Sequence, residues 1–136
     1  MKRIAVAALL LLPLMASGAF AVENDNPNAA QTGDLPKKYP AAMKALHGIL
    51  PKNMQGEDWL WNLNGVGMAL MDKDVGGVHY IAGWGCKPKF CAQNIVGFLV
   101  TADGKKAIAE ISISSKPQYL GKPSAAEKKA LDGLIN

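Results

Sequence analysis

The chain has 136 residues, with 15 Lys+Arg against 11 Asp+Glu and a formal charge of +4. Two of those cations, Lys2 and Arg3, open a stretch that reads as an export signal. An apolar run from Ile4 to Met15 follows, and Ala19-Phe20-Ala21 fits a small-x-small cleavage site, so residues 1–21 are set aside as a signal peptide cleaved after Ala21. The run is too short for the roughly 20 residues that cross a bilayer, so no membrane association is expected after cleavage. What remains carries a charge near +2 and can bury roughly two-thirds of its unfolded surface, which suits one domain and excludes two ordinary ones. Its lysine pairs, Lys37-Lys38, Lys105-Lys106 and Lys128-Lys129, are scattered and lack interleaved aromatics, which argues against a nucleic-acid partner.

In chain order, residues 22–35 are rich in Asn, Asp, Ala and Pro and are expected to form a flexible lead-in. The single domain then runs over 36–136. Tyr39, Met43, Leu46 and Leu50 recur at helical spacing, Pro40 suits a first turn, and Pro51 ends the helix. Beyond Lys52, Trp59 and Trp61 lie two apart, the spacing of one face of a strand. Val66, Met68 and Leu70 alternate with small residues. Asp72 to Gly77 supplies turn chemistry before Val78–Trp84, which makes a first hairpin. Ile95–Thr101 and Ala107–Ile113 flank Asp103-Gly104 as a second hairpin. Ser124-Ala125-Ala126-Glu127 is a capping box, and Leu131, Leu134 and Ile135 form the apolar side of a closing helix. The pattern predicts an α+β fold: a mostly antiparallel sheet of about five strands with short helices from both ends of the chain packed on one face.

Most catalytic patterns fail on spacing. Gly65-Val66-Gly67 begins a dinucleotide fingerprint whose third glycine would fall at Leu70. Asp72, Asp74 and Gly77 imitate a calcium loop whose closing carboxylate would fall at Gly83. His47 and His79 lack the paired spacing of a zinc site and read as structural, so neither metal nor cofactor is expected. No serine sits in a nucleophile elbow, and Cys-x-x-x-x-Cys is not the redox spacing. Glu57, Asp58 and Glu110 are the carboxylates available for an acid/base pair, with surface or turn roles favoured. The chain is therefore not expected to be an enzyme.

One stretch keeps its interest. Cys86 and Cys91 are the only cysteines, and in an exported chain they are expected to be bridged, closing a small ring that holds Lys87, Pro88, Lys89 and Phe90. Loop-closure entropy for so small a ring is worth about 2 kcal/mol, so its purpose reads as local shape. Pro88 stiffens the backbone, and a rigid cationic tip suits an acidic cleft.

Cys86-Lys87-Pro88-Lys89-Phe90-Cys91 resembles the Cys-Lys-Pro-His-x-Cys loop of the inhibitor of vertebrate lysozyme (Ivy) family. The export signal, the helix ending near Leu50-Pro51, the Tyr-containing strand before the loop and the apolar strand after it extend the likeness over roughly residues 36–136. The resemblance implies a periplasmic inhibitor of c-type lysozyme whose disulfide-closed loop, residues Lys87 to Phe90, enters the active-site cleft. The family's loop histidine, which meets the catalytic carboxylates, corresponds here to Lys89, a donor-only point charge. Two other readings stand beside inhibition of c-type lysozyme. One is modulation of the bacterium's own lytic transglycosylases or muramidases; the other is a non-inhibitory periplasmic module of the same fold. Pairing of two chains through a sheet edge, giving a homodimer, stays open.

Overall fold

The computed structural model describes residues 29–136, so the expected signal peptide and residues 22–28 lie outside the described part. Two helices open it, α1 (Leu35–Lys38) and α2 (Pro40–Ile49), with Pro40 in the first turn of α2 and Leu50 closing it in extended backbone. A four-residue helix, α3 (Asp58–Trp61), follows. Next come β1 (Val66–Gly67), β2 (Met71–Val75), β3 (Val78–Cys86), β4 (Ile95–Val100), β5 (Ala107–Ile113) and β6 (Lys116–Leu120), before the closing helix α4 (Ala125–Ile135). All strand pairings are antiparallel, in the order β1-β3-β4-β5-β6, with β2 also paired to β3. The class is α+β, as the hydrophobic pattern predicts.

The helices do not share a face. Ile81, Val96, Phe98, Val100, Ala109 and Ile111 pack with Leu35, Ala42, Met43 and Leu46 of α1 and α2. Tyr80, Ala82, Leu99 and Ile108, on the alternate positions, pack with Ala130, Leu131 and Leu134 of α4. Residues 96–100 are all buried, as in strands covered on both sides, and a strand apolar on both faces needs a cover on each. Gly97 sets the distance of α4: a Cβ there would stand 2.8 Å from Ile135 Cγ2, so the bare position lets the helix close on the sheet.

Two further expectations are corrected, and two features are added to the pattern. Trp59 and Trp61 belong to α3, not a strand; a single helical turn is too short to show a 3.6-residue period. Asp72 and Asp74 lie in β2, because Gly76 and Gly77, both at positive φ, complete the hairpin turn alone. A sixth strand, β6, lines the far edge, where Pro117 costs no ladder bond to a further neighbour. Finally, residues 29–35, the last of the expected lead-in, pack against the fold. Thr32 is 1% exposed and its hydroxyl lies 3.0 Å from the Met68 carbonyl oxygen and 2.9 Å from that of Trp84. Leu35 is fully buried.

Candidate functional site

β3 carries the chain to Cys86, which is fully buried and paired in register with Ile95 at the start of β4. Cys86 and Cys91 are disulfide-bonded, with Cα atoms 4.8 Å apart. Between them the Phe90 N–H donates to the Lys87 carbonyl at 3.0 Å, closing a four-residue turn with Pro88 second and Lys89 third. Lys89 has φ 70°. A turn with proline second and positive φ third has the type II pattern, whose third position favours glycine. Lysine in this left-handed region costs roughly 1 kcal/mol. The Lys89 side chain is exposed and joins no hydrogen bond or ion pair among the described residues.

The base of the loop is braced. The Lys87 N–H donates to the Asn94 carbonyl at 3.0 Å, and the Phe90 carbonyl accepts from the Gln93 and Asn94 N–H groups and from the Asn94 side-chain amide. Asn94 Oδ1 in turn accepts from the Ser114 N–H at 3.3 Å, and the Gln93 carbonyl from the Ser115 N–H at 3.0 Å. The β5–β6 turn thus buttresses the connection from β3 to β4. On the other side, Gly65 passes so close that a Cβ there would lie 2.3 Å from the Cys86 carbonyl oxygen.

The two lysines of the loop differ. Lys87 Nζ lies 3.4 Å from Glu57 Oε2, which also accepts from Trp59 Nε1 at 3.0 Å, and it stands 5.9 Å from the Phe90 ring centroid. Both partners of the ion pair are 39% exposed in their side chains, so it contributes less than about 1 kcal/mol. Its geometric effect is larger: one cation is folded back onto α3, and Pro88, Lys89 and Phe90, the last 53% exposed, form the outward tip.

The remaining candidates lie apart from the loop. His47 stacks on Trp61 with centroids 4.2 Å apart, and its Nε2 lies 2.6 Å from the Trp61 carbonyl, which can only accept, so that nitrogen carries the proton. His79 lies between Asp74 and Asp72 on the β2–β3 hairpin, and hydrogen bonds to those carboxylates raise its pKa. Asp58 is held low by hydrogen bonds from Asn62 and Asn64. Glu110 faces α4, away from Glu57 and Asp58, so the three do not form one acid/base pair. Among the described residues, no group of three His, Cys, Asp or Glu side chains is placed to hold a metal ion.

Glu57, Asn94 and the Ser114-Ser115 turn escape sequence reasoning as parts of this site, since each reaches it only through tertiary contact. The Glu57-Asp58 acid pair beside Trp59 was the one visible signal. No protein-family model matches the chain, and no curated protein matches it in sequence.

Proposed function

We propose that the protein is a non-catalytic inhibitor of a peptidoglycan-cleaving enzyme, in the first instance a c-type lysozyme, acting in the periplasm with its disulfide-closed loop as the plug. The observation that carries this reading is Lys89: an unpaired cation at the apex of a braced turn, in a backbone conformation that favours glycine. Strain held in place by surrounding structure concentrates at functional positions. Glycosidases of this kind use two carboxylates flanking the scissile bond, one kept protonated and one ionised. An ammonium seated between them pairs with the ionised carboxylate, and Pro88 and Phe90 fill the space a sugar would occupy. Preorganisation by the disulfide and Asn94 lowers the ordering entropy lost on binding.

The test is a cell-wall lysis assay with purified protein, with and without reductant, on a c-type lysozyme and on an endogenous lytic transglycosylase. Inhibition of lysozyme that is lost on reduction supports the reading. Lys89→Ala should weaken it by about 2 kcal/mol, the mark of a central contact residue, or roughly thirtyfold. Unchanged inhibition by Lys89→Ala overturns the plug mechanism. Activity against the transglycosylase alone moves the target to the bacterium's own enzymes, and inertness toward both leaves a binding module without inhibitory function.

A further inference from the structure

Glu110 stands in the middle of β5, 6% exposed, with Oε2 reaching no hydrogen-bond donor among the described residues. Its cross-strand neighbours are Gly97 on β4, which has no side chain, and Tyr119 on β6. Over that gap α4 closes on the sheet, with Leu131, Leu134 and Ile135 against Gly97, and Asp132 of the same turns faces Glu110. The Tyr119 hydroxyl donates to Asp132 Oδ1, and Lys128 Nζ stands 5.2 Å from the Tyr119 ring centroid. Among the described residues no ammonium or imidazole pairs with either carboxyl, although α4 has such a pair one turn from its start, where Lys106 Nζ lies 2.9 Å from Glu127 Oε1. A buried carboxyl beside a second carboxyl, with no cation to pair it, resists ionisation.

We propose that a neutral Glu110 carboxyl, buried between β5 and α4 beside Asp132, clamps the helix to the sheet, so that the helix's hold weakens when Glu110 ionises. Burial first, then the hydrogen bond and charge of Asp132, push Glu110 from 4.5 up to about 7. Tyr119, pushed up to about 12 chiefly by its hydrogen bond to Asp132, stays a neutral donor throughout. A carboxyl raised on folding gives stability that is fully present below its unfolded pKa and is lost as pH climbs through its folded one. The window is therefore pH 4.5 to about 7, and a shift of that size changes the unfolding equilibrium on the order of a hundredfold. Ionised Glu110 would lie beside Asp132 under the C-terminal half of α4, with Leu134 and Ile135 the first apolar contacts to loosen.

The experiment uses the full chain in a His79→Gln background, because His79 also has a raised pKa and would add its own slope. Carbon-13 NMR of the side-chain carboxyls should show Glu110 moving with a midpoint near 7. Amide-exchange protection across α4, corrected for the intrinsic rate, should fall on the order of a hundredfold between about pH 5 and 8. Glu110→Gln should abolish that fall. A Glu110 carboxyl that titrates in the ordinary glutamate range, or an unchanged fall in Glu110→Gln, overturns the proposal. If Glu110→Gln does not fold, the carboxyl titration in the His79→Gln protein decides alone.

Discussion

Lysine is an uncommon occupant of the third position of a turn with proline second, and Lys89 holds it with φ 70° and no partner among the described residues. Its charge and its backbone strain can be separated by substitution. Lys89→Gly relieves the left-handed penalty and should leave the fold as stable as the parent or stabilise it by up to about 1 kcal/mol in urea denaturation. The same variant should lose inhibition as fully as Lys89→Ala. A stable, inactive Lys89→Gly would assign the strain to function, whereas an active one would show that the ammonium is dispensable. Lys87, the like charge two residues earlier, is a poor substitute because Glu57 draws it back onto α3 at 3.4 Å. Two lysines adjacent in the sequence pattern thus hold different positions, a distinction set by a carboxylate 30 residues upstream and invisible without the fold.

Among the elements, the loop depends most on a turn distant in sequence. Ser114 and Ser115 both have positive φ, 49° and 63°, in a two-residue connection between β5 and β6. Such turns are most at ease with Asn-Gly. The double variant Ser114→Asn, Ser115→Gly should raise stability by about 1 kcal/mol, read from the shift in thermal midpoint. It keeps the backbone N–H groups that brace Asn94 and Gln93, so the plug should retain its activity. The elements legible in the sequence were those with a full period to show: α2, β3, β4, β5 and the capped α4. Those it concealed are short or polar. β6, with Lys116, Pro117 and Gln118, has only Leu120 buried, and an edge strand of that composition carries no alternation to detect. The Thr32 hydroxyl reaches the Trp84 carbonyl of β3 and that of Met68, and backbone bonds join Ala30 and Thr32 to Leu70 and Met68, contacts no hydrophobic pattern records.

At the scale of the molecule, the central strands are covered on both faces, by α1 and α2 on one and α4 on the other. The unbroken apolar run of β4 already carried that information, since a strand solvated on one side alternates. The loop itself was also legible, because two cysteines around Lys-Pro-Lys need no tertiary knowledge to be noticed. The net charge predicts how association should respond to salt. If the target is a c-type lysozyme, typically basic, then a slightly positive chain gains no long-range attraction at encounter. Stopped-flow association should hold steady or quicken as ionic strength rises to about 0.15 M. A steep decline with salt would instead mark an acidic target surface and exclude a basic lysozyme.

Pro88, Lys89 and Phe90 are exposed, while the bonds that secure the loop run through main-chain atoms, Asn94 and the disulfide. On the proposed reading, foldability and recognition would therefore be written in separate residues, and a changing target could rewrite the outward side chains with little penalty to the sheet beneath them, in the manner of a variable loop on a constant frame. The same separation would make the protein a ready scaffold: a library randomised at 89 and 90, with Pro88 kept to hold the turn, would sample new tips on one frame.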